Sequence, residues 1–124
     1  MTKLLVVDDE EMIRVNLECF LEDEGYEVIS ADSGEGALDL LKSEDSAPKL
    51  GVIDMRLPGI DGNETIMGAH QIWPDMLFII HTGSSEYSLP DELVDIGLTK
   101  ENILLKPLPD MQTMLETIEK ILAS

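Results

Sequence analysis

Two adjacent aspartates, Asp8 and Asp9, follow directly on the apolar run Leu4-Leu5-Val6-Val7, and a third, Asp54, closes the run that begins at Leu50. Later in the chain His81 and Thr82 follow Leu77-Phe78-Ile79-Ile80, and Lys106-Pro107 follows Ile103-Leu104-Leu105. Carboxylates brought together raise the cost of ionising one another, so three of them need a cation. An oxygen-rich set without thiol or imidazole favours a hard divalent ion, Mg2+ or Mn2+, with waters completing an octahedron. Lys106, facing them, would be the counter-ion and would also hold an anion in place. Taken singly, each residue has a plainer explanation: Asp8 and Asp9 as helix caps, Lys106 as a solvated charge, Thr82 as a β-branched strand end. A second acidic strand end, at Asp54, is what capping does not explain.

The elements that must position these residues alternate regularly. Five short β-rich runs, at Leu4–Val7, Glu27–Ser30, Leu50–Ile53, Leu77–Ile80 and Ile103–Leu105, read as strands, some too apolar to face water on either side. Between them lie helical periods. Ile13, Leu17, Phe20 and Leu21 share one face of a helix that Gly25 ends, and Ala37, Leu38 and Leu41 follow Ser33 as N-cap. Asn63–Ile72 precedes Trp73-Pro74, Pro90 opens a short helix stopped by Gly97, and Met111, Met114, Leu115, Ile118 and Leu122 stripe the last one. This rhythm predicts an α/β fold with a parallel sheet and right-handed crossovers, in which a ligand site lies beyond the carboxyl ends of the strands. After Asp54, the turn at Pro58-Gly59 and then Gly62 keep the backbone close to that carboxylate before the third helix.

With 124 residues, the chain is the size of one domain, residues 1–124. Eight basic against 26 acidic residues give a net charge of −18, which repels phosphate backbones and anionic lipid and sets aside nucleic-acid and membrane binding. The longest apolar run, Met76–Ile80, is far short of the ~20 residues a membrane helix needs, and acidic residues right after Val7 exclude a signal peptide. The single Cys19 falls among apolar helix positions and reads as a small buried thiol in a reducing cytosol.

Asp8-Asp9, the segment Asp54–Gly62, Thr82 and Lys106-Pro107, in this order and spacing, resemble the receiver domain of bacterial two-component response regulators, over essentially the whole chain. The resemblance implies a doubly wound, flavodoxin-like sheet in the order 2-1-3-4-5 with helices on both faces. It implies that Asp54 is the phosphoacceptor, fed by a phosphohistidine on a sensor histidine kinase or a histidine phosphotransfer protein. Asp9, Asp54 and the Met55 carbonyl would bind Mg2+, Asp8 would act directly or through water, and Thr82 and Lys106 would bind the phosphoryl oxygens. Phosphorylation would then bias contacts made by the fourth helix, fifth strand and fifth helix with a downstream target or an output domain. Such a module is cytoplasmic and not a turnover enzyme; its chemistry is phosphotransfer to Asp54 and self-dephosphorylation. Whether it stands alone or is one part of a longer regulator stays open.

Three features depart from the pattern. Ile103 stands where receivers usually carry Tyr or Phe, Gly97–Lys106 is longer than expected and filled by Thr99-Lys100-Glu101-Asn102, and the polar Ser84–Glu92 predicts a short or displaced fourth helix. Competing readings are a pseudo-receiver that binds partners without phosphorylation, an aspartyl-nucleophile phosphatase and a flavodoxin-type FMN domain. Arg56 holds the place where such a phosphatase needs an acid, and Asp8-Asp9 would repel an FMN phosphate. Arg56 reads equally as a residue over the site or as surface; His81 reads as a strand residue beside the site, and His70, Trp73 and Met111 as surface or packing.

Overall fold

A computed structural model describes residues 1–123. Its elements are β1 (Lys3–Val7), α1 (Glu11–Asp23), β2 (Glu27–Ala31), α2 (Gly34–Ser43), β3 (Leu50–Asp54), α3 (Gly62–Ile72), β4 (Leu77–Thr82), α4 (Asp91–Asp95), β5 (Ile103–Leu105) and α5 (Met111–Ala123). The strands form one parallel sheet in the order β2-β1-β3-β4-β5, as the resemblance implies. Alternation along the strands splits the core in two. Leu4, Val6, Val52 and Ile79 pack under α1 and α5 with Leu17, Leu21, Met114 and Ile118. Leu5, Val7, Ile53 and Ile80 pack under α2, α3 and α4 with Leu41, Ile66, Ala69 and Leu93. The inner strands β1, β3 and β4 are almost wholly buried, whereas the edges β2 and β5 are only partly so. An inner strand is covered by neighbours on both sides, whereas an edge strand has one flank open whatever its composition.

Local chemistry fixes the helix ends. The Ser33 hydroxyl caps α2 by accepting the Gly36 N–H, and Asp61 with Glu64 forms a reciprocal capping box at α3. Gly25 and Gly97, at φ of 96° and 106°, close α1 and α4 in the left-handed region. The fourth helix is short, as the sequence predicts, and Pro90 lies just before it in an extended conformation rather than inside it. The inserted Thr99–Asn102 forms a capped 3-10 turn, from which the Asn102 amide donates to the Phe78 carbonyl of β4 at 2.7 Å. One expectation fails. Cys19 is exposed, because it lies outside the stripe of α1 that carries Leu17 and Leu21.

Gly62 sets how closely α3 approaches β3: a Cβ there would sit 2.3 Å from the Asp54 carbonyl oxygen and 2.7 Å from the Met55 Cα. Those are backbone atoms and cannot give way cheaply. Gly62→Ala is therefore expected to lower stability by roughly 1–3 kcal/mol in urea unfolding, whereas Gly83→Ala, where a Cβ meets nothing within 4 Å, should stay near wild type.

Candidate functional site

Because β1 and β3 are neighbours running in the same direction, their carboxyl ends lie side by side at the point where strand order reverses. Asp8, just past β1, and Asp54, the last residue of β3, are both buried, while Asp9 is exposed. One oxygen from each of the three lies within 4.8 Å of the others. Asp8 Oδ1 accepts the Glu10 N–H at 2.9 Å, and Asp54 Oδ1 accepts the Arg56 N–H at 3.2 Å. These bonds hold each carboxylate over its own turn. No side chain caps the start of α1 at Glu10, so Asp8 and Asp9 are not serving as N-caps.

Lys106 closes the cluster from β5. Its backbone N–H donates to the Thr82 carbonyl at 2.8 Å, which extends the β4–β5 ladder by one rung. Its ammonium donates to Asp8 Oδ2 at 2.9 Å and lies 3.4 Å from Asp54 Oδ2 and 3.8 Å from Glu10 Oε1. Burial works against the charged lysine, but the Asp8 hydrogen bond and the charges of Asp8, Asp54 and Glu10 outweigh it and hold its pKa above the usual value. Burial raises the Asp54 pKa, the Asp8 charge adds to the rise, and Lys106 opposes it. One ammonium therefore faces three carboxylates, and the remaining negative charge, carried on oxygen atoms alone, fits a hard divalent cation.

Thr82, the last residue of β4, and Met55, directly after β3, lie at this same edge of the sheet. Thr82 is buried at the end of β4, with its hydroxyl accepting the Ser84 N–H at 3.2 Å. The Met55 carbonyl accepts the Gly62 N–H at 3.1 Å, which leaves it a second lone pair. Asp9, Glu10, Asp54, Arg56, Gly83 and Lys106 line an open cavity of about 350 Å3 at the cluster, with Arg56 exposed at its rim. The peptide Lys106-Pro107 is cis. Ile103 lies partly buried against the core.

Some contacts had no signal in the sequence. Glu10, one of the acids after Val7, pairs with Lys106. Arg14 donates to the Asp8 carbonyl at 2.9 Å, a contact across one turn that helical spacing alone does not announce. Tyr87, in the loop after β4, donates to Asn63 Oδ1 at 2.6 Å and so ties that loop to α3. Burial, and then the nearby Asp61, push its pKa to about 12.

A five-stranded sheet of this order, with acids at β1 and β3, a hydroxyl at β4 and a lysine at β5, defines a receiver-type signalling domain of the flavodoxin-like class. The chain belongs to the response regulator receiver domain family, whose model matches residues 4–119. It is 35% identical over 95 residues to sporulation initiation phosphotransferase F of Bacillus subtilis (strain 168), covering 77% of this chain and 75% of that one. It is 37% identical over 105 residues to the alkaline phosphatase synthesis transcriptional regulatory protein PhoP of the same organism, covering 85% of this chain but only 42% of that regulator. A solved CheY-like receiver domain protein from Methanospirillum hungatei JF-1 superposes with a TM-score of 0.84 at 30% identity, covering 99% of this chain and 94% of the other.

Removing the ammonium would leave Asp8 and Asp54 buried and uncompensated. Lys106→Met is expected to lower stability by about 3 kcal/mol near neutral pH. In that variant the folded-state pKa of Asp54 rises further above its unfolded value, so the folded state holds the extra proton and stability falls as pH rises through that window. Urea unfolding at about pH 5 should therefore show a smaller deficit than at about pH 7.

Proposed function

We propose that this domain accepts a phosphoryl group on Asp54 from a phosphohistidine, carried by a sensor histidine kinase or a histidine phosphotransfer protein, and that the modification alters its protein contacts. The observation that carries the reading is Lys106 set between Asp8 and Asp54, with oxygens of all three aspartates within 4.8 Å. In the transfer, an Asp54 oxygen forms a bond to phosphorus while the donor's P–N bond breaks and its electron pair leaves with the imidazole. Such transfers are catalysed mainly by positioning and charge neutralisation.

The residues divide that task. Asp9, Asp54 and the Met55 carbonyl would hold Mg2+ or Mn2+. Asp8, whose two oxygens meet the Glu10 N–H and Lys106, would contribute directly or through water. The bound ion supplies positive charge to the transferring group. Lys106 supplies more from the opposite side, and the Thr82 hydroxyl, which accepts from Ser84, keeps its own proton to donate to a phosphoryl oxygen. A second acid is missing two residues after Asp54, where Arg56 stands. This favours a stoichiometric receiver over a turnover phosphatase.

Acetyl phosphate with Mg2+ should add one phosphoryl mass to the protein, and Asp54→Ala should abolish the adduct in intact-mass spectra. Mg2+ alone should raise the melting temperature, equivalent to about 2.7 kcal/mol at a hundredfold excess over its dissociation constant. An adduct that persists in Asp54→Ala, or none in wild type with Mg2+, would overturn the assignment.

A further inference from the structure

A second cavity, of about 510 Å3, adjoins the phosphoryl site and shares Glu10, Gly83 and Lys106 with it. Its walls are mainly apolar: Ile13 and Leu17 from α1, Leu108 from the loop after β5, and Met111 from α5. Its volume is within the range that accommodates small organic ligands. Glu10 and Asp110 line it together with Lys106, whose ammonium is held by Asp8, so charges of both signs meet at its edge and neither an anion nor a cation is favoured.

His81 forms part of this wall. It is 4% exposed, and among the described residues neither of its ring nitrogens has a hydrogen-bond partner. Leaving such groups unpaired in a protein interior is costly, and a valine or isoleucine in the same strand would not incur that cost. Burial, with the nearby Lys106 charge adding, lowers its pKa to about 4, so near neutral pH the ring is uncharged. It then offers one N–H donor and one bare acceptor nitrogen. Both nitrogens are shut off from solvent, so an occupant reaches one of them by the ring turning about its soft second torsion.

We propose that this cavity is a second ligand site, taking an uncharged small molecule with an apolar body and one hydroxyl or amide group that hydrogen-bonds His81. A hydroxyl or amide both donates and accepts, and so can satisfy whichever nitrogen the ring presents. The apolar body would cover Leu17, Leu108 and Met111. This site does not depend on phosphotransfer to Asp54.

The test is an NMR titration of the full chain with 4-methylphenol and, in parallel, with toluene, which has the same apolar body and no hydroxyl. The expected result is saturable binding of 4-methylphenol, with shifts at the His81 ring nitrogens and at the Leu17, Leu108 and Met111 methyl groups. Its affinity should exceed that of toluene by about tenfold. His81→Phe should abolish that preference, and Asp54→Ala should retain it, which separates this site from the phosphoacceptor. Equal affinity for the two probes in wild type would overturn the proposal even if His81→Phe fails to fold. So would the absence of saturation by 4-methylphenol at its solubility limit, or shifts that bypass His81.

Discussion

Three carboxylates that the fold forces together, and the one ammonium set against them, are the constraint on which the rest of this domain depends. Asp8 and Asp54 are buried, and buried like charges are costly unless something of opposite sign is placed with hydrogen-bond geometry. Lys106 meets that need at 2.9 Å from Asp8 and 3.4 Å from Asp54. It can do so only because β5 is the edge strand beyond β4 and its backbone is bonded to Thr82. The neutralisation is incomplete, and that incompleteness makes the site chemically useful. Residual negative charge on oxygen prepares it for a divalent ion, and a lysine already anchored by Asp8 is prepared for an incoming anion.

Much of this was legible in the sequence because it depends on period and on punctuation. Apolar runs mark the strands, and Ser33, Gly25 and Gly97 mark helix ends at the positions where the structure has them. The acids and the lysine stood out because each follows a strand, and a parallel sheet collects its strand ends along one edge. The order of the strands was not in any local pattern; it came with the family resemblance. Cys19 was misread for a related reason. Apolar neighbours in sequence do not share a helix face, and three to four residues of spacing decide which side faces water.

What the sequence concealed are contacts between side chains and distant backbone or side-chain atoms. Neither the bond from Tyr87 to Asn63 nor that from Arg14 to the Asp8 carbonyl has a compositional signature. His81 is the plainest case. As a letter it was a polar residue at a strand end, but in space it is a buried ring walling an apolar cavity beside the phosphoryl site. Only the packing of α1 and α5 over that end of β4 creates the hollow.

A lengthened loop such as the turn inserted before β5 would by itself leave the strand it leads into free to fray. Its asparagine does the opposite. β5 has three residues, and its pairing with β4 begins at Ile80; the Asn102 amide, bound to Phe78 two positions earlier, acts as a surrogate rung where the backbone ladder runs out. A strand otherwise too brief to resist fraying is thereby clamped at its entrance by a side chain and at its exit by the Lys106 amide. The lysine's placement is thus owed in part to a residue on the far end of its own strand.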